Sequence, residues 1–233
     1  GGTNGQQGVF ACGAKLGLPT NETTFATAVK AKGYRTMAIG KWHLGSEWKY
    51  MPYQHGFDHY YGVPYSVDMG LAYNNRTPET SFESNYYGCT PLPLIANETI
   101  LEQPTDLGLL NHRYTEAATS FLHQAAADDV PFLLYVAFGH VHTPQYAGQQ
   151  CEGVSRRGIF GDSVVELDNA VGEIVSALRA LPGDVADDTL IILTSDNGAP
   201  NAAQHAAPWL PLQPISGSNG PFLGEKTTTY EGA

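Results

Sequence analysis

Residues that could carry chemistry are concentrated in three short polar segments, each of which directly follows an apolar run. Lysine and histidine side chains at such places could bind an anionic substrate and transfer protons. Aspartate and asparagine oxygens are the hard ligands that Ca²⁺ or Mg²⁺ prefers. The three segments are Lys41-Trp42-His43, His140-Val141-His142 and Ser195-Asp196-Asn197-Gly198.

Each segment also has a less specific explanation. In the first, the lysine and histidine face the same side of an extended backbone, but a surface lysine beside a structural histidine gives the same pattern. The second could begin a zinc site, yet no third histidine, cysteine or carboxylate follows at ligand spacing. The third is also the pattern of an Asx turn ending in glycine. None of the three segments identifies a site by itself.

The surrounding sequence predicts an α/β fold with a largely parallel central sheet and helices on both faces. Continuous apolar runs favour buried strands, and the run 131–138 is typical of a central strand covered on both faces. Ser163-x-x-Glu166 matches a capping box at the start of a helix, and residues 45–112 are interpreted as long loops with short strands. The carboxyl ends of parallel strands carry functional loops, so the three polar segments are expected at one edge of the sheet. The predicted elements are a helix over 23–32, a strand over 35–40, a helix over 113–127 with Tyr114, Ala118, Phe121, Leu122 and Ala125 on its apolar face, a strand over 131–138, a helix over 163–181 and a strand over 189–194.

Composition excludes some classes of function. The chain has 233 residues and a net charge of −11, which argues against nucleic acid as a partner. No apolar run approaches the ~20 residues of a membrane span. Three cysteines, Cys12, Cys89 and Cys151, leave the disulfide pairing open. Sequons at Asn21, Asn75 and Asn97 are candidate glycosylation sites and favour the secretory route, either lysosomal or extracellular.

Longer strings are more specific than the three segments alone. Residues 33–45, GYRTMAIGKWHLG, closely resemble the second signature of the sulfatase family. Further strings that resemble the animal arylsulfatase group, which includes arylsulfatase A, follow in the family's order at 54–58, 64–66, 160–163, 194–198 and 226–232. The resemblance extends from Gly17 to Ala233.

The resemblance implies an alkaline-phosphatase-like fold and hydrolysis of sulfate esters on a small molecule, glycolipid or glycan. It also implies a Ca²⁺ ion and a formylglycine nucleophile, which a formylglycine-generating enzyme makes from a cysteine. By motif, His140 has no assigned role and is interpreted as structural. The other roles implied by motif are sulfate binding by Lys41 and Lys226, support of the formylglycine hydroxyl by His43, a position near the leaving oxygen for His142, a substrate contact for Ser66, and metal ligation by Asp196 and Asn197.

Two family features do not occur in these 233 residues. There is no Cys-x-Pro-Ser-Arg motif, and the paired aspartates that complete the family's metal site are absent. We therefore expect residues 1–233 to be part of a catalytic domain, without its nucleophile segment and C-terminal subdomain, and to be inactive alone. Two alternatives stay open: a phosphoryl-transfer relative on the same fold, and a secreted non-enzymatic protein that binds glycans or builds matrix. The residues that precede Gly1 in the full protein would separate the enzyme from the non-enzymatic protein.

Overall fold

The computed structural model describes residues 9–74, 77–82, 89–200, 217–226 and 228–232. The chain forms two compact units, residues 1–187 and residues 188–233.

A five-stranded mixed sheet forms the centre of the first unit. Strand β1 (Arg35–Lys41) lies between β2 (His59–Val63) and β7 (Phe132–Ala137) and runs parallel to both. Strands β5 (Leu94–Ala96) and β6 (Thr99–Glu102) extend the sheet beyond β2 in antiparallel orientation. Strands β3 (Ala72–Asn74) and β4 (Thr77–Phe82) form a separate antiparallel pair. The α/β class is confirmed, with the parallel pairing confined to β2, β1 and β7.

Helices cover both faces of this sheet. Alternate side chains of β1 point to opposite faces and pack against different helices. Ala38 packs with Ala26 of helix α1 (Phe25–Lys30), whereas Ile39 packs on the side of helix α2 (Leu110–Ala127). Helix α3 (Gly158–Arg179) packs against α2. None of the described helices is long and apolar enough to cross a membrane.

Several predicted elements occur close to their expected places. Helix α1 is shorter than the predicted 23–32 and begins after a capping box formed by Thr24 and Thr27. Gly33 follows the helix with φ 86°, a left-handed conformation that suits glycine. Helix α2 begins three residues before the predicted 113, and the five residues of its expected apolar face are buried. Strand β7 matches the predicted run, but it forms an edge of the described sheet and is only half-buried.

The predicted capping box at Ser163 and Glu166 is wrong. Helix α3 begins at Gly158, so both residues lie inside the helix. The Ser163 hydroxyl donates to the carbonyl of Tyr146, and the Glu166 carboxylate accepts from the backbone of Gly148. Residues three apart share a face of a helix. The two side chains that suggested a cap therefore face the same loop, around residues 146–148, and bind its backbone.

The predicted strand over 189–194 is also wrong, because those residues form no strand in the described part of the second unit. The side chains of Leu190, Ile192 and Leu193 are 84%, 76% and 75% exposed. An apolar run favours a strand only where a second backbone supplies ladder hydrogen bonds. The described residues of the second unit contain no strand that could pair with residues 189–194.

Candidate active site

Lys41 and His43 lie where β1 ends, next to the loop that follows β2. Gly40 precedes them because a Cβ atom there would collide with the carbonyl of Ala137 in β7. The His43 backbone N–H donates to the carbonyl of Pro64 over 3.1 Å, so the loop after β2 runs beside the end of β1. His43 has φ 57°, a conformation uncommon for residues other than glycine and often found at functional sites.

The imidazole of His43 is held neutral with a defined tautomer. Its Nε2 lies 2.9 Å from the carbonyl oxygen of Phe10. A carbonyl can only accept, so Nε2 carries the proton and Nδ1 carries the lone pair. Burial, followed by the positive charge of Lys41, lowers the pKa of His43 from 6.5 to about 4, against the opposing effects of Phe10 and Asp68. His43 is therefore able to accept a proton at Nδ1 in mildly acidic solution.

His142 lies on the loop after β7 and acts electrostatically on His43. The His142 backbone N–H donates to Gly139 over 3.0 Å, and its Nδ1 lies 2.6 Å from the carbonyl oxygen of Thr143. Nδ1 is therefore the protonated nitrogen of the neutral ring, and a proton taken up at Nε2 is the one that the ring could donate. Lys41, His43 and His142 are brought together at the carboxyl ends of β1 and β7.

Two buried oxygens in the loop after β2 have no hydrogen-bond partner in the described residues. They are Oγ of Ser66, a residue only 2% exposed, and Oδ1 of Asp68. Buried polar atoms nearly always have partners in folded proteins, so a bound molecule or water would be stabilised here. Ser66 was expected from the sequence, and Asp68 was not. The signal for Asp68 was its position two residues further along the same short loop.

The remaining predicted site residues, Asp196, Asn197 and Lys226, belong to the second unit. The Asn197 side-chain amide donates to the carbonyl of Gly198 over 3.0 Å, and the Ser195 hydroxyl donates to the carbonyl of Asn197 over 2.7 Å. The backbone N–H of Lys226 donates to the carbonyl of Ala199 over 3.2 Å. The loop that contains Lys226 therefore lies beside the segment that follows Asp196 and Asn197.

The oxygens of Asp196 and Asn197 fit calcium in kind but are too few to bind it alone. A Ca²⁺ ion normally takes 6–8 oxygen ligands. Within the described ranges, no three or more histidine, cysteine, aspartate or glutamate residues are grouped to hold a metal ion.

A disulfide holds the segment that contacts His43. Cys12 and Cys89 are bonded, with their Cα atoms 5.8 Å apart, and Cys151 is a buried thiol. The Ser46 hydroxyl donates to the carbonyl of Cys12 over 2.6 Å. The disulfide thereby helps to fix residues 10–12 near the end of β1. The sequence left this pairing open because nothing local indicates it.

Two of the three sequons lie on the described surface. Asn21 and Asn97 are exposed, and Asn75 lies outside the described residues. Asn97 is at the turn between β5 and β6, where its Oδ1 accepts the backbone N–H of Tyr60 over 2.9 Å.

Comparison with known proteins decides the family. The family model described as Sulfatase matches residues 5–233. The chain belongs to the sulfatase family. Human arylsulfatase A is 38% identical over 97% of this chain and 43% of its own length. Human arylsulfatase G is 36% identical over 98% of this chain and 46% of its own length. This sulfatase chain therefore spans less than half the length of these relatives.

Solved structures, one of them described as a sulfatase, confirm the alkaline-phosphatase-like fold. The PsFucS1 sulfatase from Pseudoalteromonas sp. matches 95% of this chain and 45% of its own, with 26% identity and a TM-score of 0.75. Ps i-CgsB in complex with k-i-k-neocarrahexaose matches 96% of this chain and 48% of its own, with 26% identity and a TM-score of 0.74.

Proposed function

We propose that the full-length protein containing these residues is an arylsulfatase-type enzyme that hydrolyses sulfate esters. The observation that carries the proposal is the grouping of Lys41 and His142 around His43, whose pKa is lowered to about 4. A cation, a neutral base and a second histidine are groups that can bind an anionic ester and transfer protons to and from it. Family membership supports the reaction type.

Each group has a separate task in this proposal. Lys41 binds a sulfate oxygen and stabilises the negative charge that develops as the ester bond breaks. His43 accepts a proton at Nδ1, and His142 donates a proton from Nε2 to the leaving oxygen. Ser66 contacts the substrate, and Lys226 supplies a second positive charge for the sulfate.

Two groups complete the proposed site. Asp196 and Asn197 would supply some of the oxygen ligands of a Ca²⁺ ion. When bound, this ion would withdraw electrons from the sulfate oxygens. The nucleophile would be formylglycine, which a formylglycine-generating enzyme makes from the cysteine of a Cys-x-Pro-Ser-Arg motif. Residues 1–233 do not contain that motif. We accordingly propose that residues 1–233 are part of the catalytic domain and are inactive on their own.

The substrate and location are proposed only as classes. The substrate is a sulfated small molecule, glycolipid or glycan. A sulfated hydroxyl on any of these presents the same anionic group to Lys41. The sequons at Asn21 and Asn97 are exposed and favour the secretory route, to the lysosome or the extracellular space.

The experiment is a leaving-group series on the full-length enzyme. His43→Ala and His142→Ala are assayed with aryl sulfates whose phenols differ in pKa, and His123→Ala on the exposed face of α2 is the control. A good leaving group needs little proton donation, so activated substrates should partly restore His142→Ala but not His43→Ala. Equal restoration of both would refute the division of roles. Unchanged activity in both would refute the proposed function.

A further inference from the structure

One carboxylate holds both ends of the loop that carries His142. His140, two residues before His142, places its Nε2 2.6 Å from Oε2 of Glu166. At the other end of the loop, the backbone N–H of Gly148 donates to Oε1 of Glu166 over 2.8 Å. The two oxygens of a single α3 side chain therefore fix residues 140 and 148 relative to the helix.

The contacts of this carboxylate are almost fully enclosed. The His140 side chain is 0% exposed and the Glu166 side chain 12%. The Asn111 side-chain amide of α2 donates to Oε2 over 3.0 Å, and the His140 ring stacks at a tilt on Tyr146 with ring centroids 4.3 Å apart. Three donors thus converge on Glu166 from α2 and from both ends of the loop. Hydrogen bonds to a charged and partly desolvated acceptor are stronger than those between neutral groups.

The geometry points to a role for Glu166 that is separate from helix packing. We propose that Glu166, acting through His140 and Gly148, is a positioning residue that holds His142 where its Nε2 can reach the leaving oxygen. The proposal rests on the role proposed above for His142. It also gives His140 a function beyond that of a buried structural histidine.

Glu166→Gln tests the arrangement with little change in volume. Both carboxylate oxygens accept hydrogen bonds, whereas an amide replaces one of them with a donor. With its NH2 toward Gly148, the amide opposes a backbone N–H. With its NH2 on the other side, it faces Nε2 of His140 and the amide of Asn111, which could accept only after a change of tautomer and a flip of the amide. Either arrangement changes how the loop is held, and a displacement of about 1 Å can reduce a rate roughly 100-fold.

The experiment measures kcat and KM for a good and a poor leaving group in the full-length enzyme. The variants are Glu166→Gln, His142→Ala and their combination, with Glu173→Gln as the control that removes the same charge from an exposed position of α3. Glu166→Gln should lower kcat for the poor leaving group roughly 10- to 100-fold with less change in KM, and the good leaving group should be much less affected. In the His142→Ala background, Glu166→Gln should cause little further loss, because both changes remove one function.

The outcomes separate this inference from the proposed function. If His142→Ala shows the leaving-group effect but Glu166→Gln slows both substrates equally, or if the two losses multiply, the positioning role is refuted. If His142→Ala shows no leaving-group effect, the role of His142 fails, and this inference fails with it. Should Glu166→Gln not fold, His140→Phe keeps a ring against Tyr146, removes the contact with Glu166 and decides the question by the same comparison.

Discussion

The His43 imidazole should remain neutral in conditions under which an ordinary histidine is largely charged. Burial and the neighbouring Lys41 lower its pKa from 6.5 to about 4. A shift of this size corresponds to roughly a 300-fold weaker affinity for the proton. At pH 5 about 10% of His43 would be protonated, compared with about 97% of a histidine with the ordinary pKa.

The same shift makes the stability of the fold depend on pH. The unfolded chain binds a proton to this histidine below pH about 6.5, whereas the folded chain does so only below about 4. The stability associated with neutral His43 is therefore fully present above pH 6.5 and is lost as the pH falls toward 4. The greatest loss is about 3 kcal/mol, because one pKa unit corresponds to roughly 1.4 kcal/mol.

Nuclear magnetic resonance of the histidine rings provides the assay. The chain contains eight histidines, and the spectrum of His43→Gln assigns the resonance of His43. Lys41→Met should raise the pKa of His43, and Asp68→Asn should lower it, because their charges act in opposite directions. Lys32→Met, at an exposed position after α1, is the control for losing a positive charge.

Two results would refute the reasoning. A wild-type His43 resonance that titrates near pH 6.5 would show that the ring is not desolvated. An equal response to Lys41→Met and Lys32→Met would show that Lys41 has no specific effect on the ring. In the first case His43 would be charged in mildly acidic solution and could not serve there as the proposed base.

Three further predictions follow from individual contacts. Replacing both cysteines of the Cys12–Cys89 disulfide with serine should lower the free energy of unfolding by roughly 4–5 kcal/mol, because the bond closes a loop with a sequence separation of 77 residues. Urea denaturation measures the free energy of unfolding, and a loss below about 1 kcal/mol would contradict the prediction. Asn97→Gln should lower stability by roughly 1 kcal/mol by breaking the hydrogen bond to the Tyr60 backbone, whereas exposed Asn21→Gln should leave it unchanged in the same denaturation experiment. In the full-length enzyme, Asp196→Ala should weaken Ca²⁺ binding measured by calorimetry and remove calcium-dependent activity, and a normal calcium response would exclude Asp196 as a ligand.

The parts of the fold that were predictable from sequence are those determined by local pattern. Helix α2 shows the 3.6-residue spacing of its buried face, and β1 and β7 are short apolar runs with clear ends. The run 189–194 has the same local pattern as β7, yet it forms no strand. The difference is non-local, because β7 pairs in register with β1 from Arg35 to Gly40. A single run of residues contains no information about whether such a partner is available.

The positions of the candidate site residues were predictable where strand ends determine them. Their chemical states were not predictable. The rule for parallel sheets brings Lys41, His43 and His142 to one edge, because β1 and β7 are parallel neighbours. The contacts of Glu166 could not be foreseen, because its spacing from Ser163 is equally that of a cap. Pattern reasoning identifies the side chain that a motif contains, but not the group that the side chain contacts.

The protonation state of His43 illustrates this limit most clearly. Lys-x-His in the sequence suggests a cation beside a proton acceptor, and Lys41 does contribute to the lowered pKa. The largest contribution is burial. The tautomer is set by the carbonyl of Phe10, which lies 33 residues earlier in the chain. That carbonyl belongs to a segment held by the disulfide from Cys12 to Cys89. The chemical character of this histidine is therefore a property of the folded chain, and a change at either cysteine should alter it even though neither cysteine belongs to the motif.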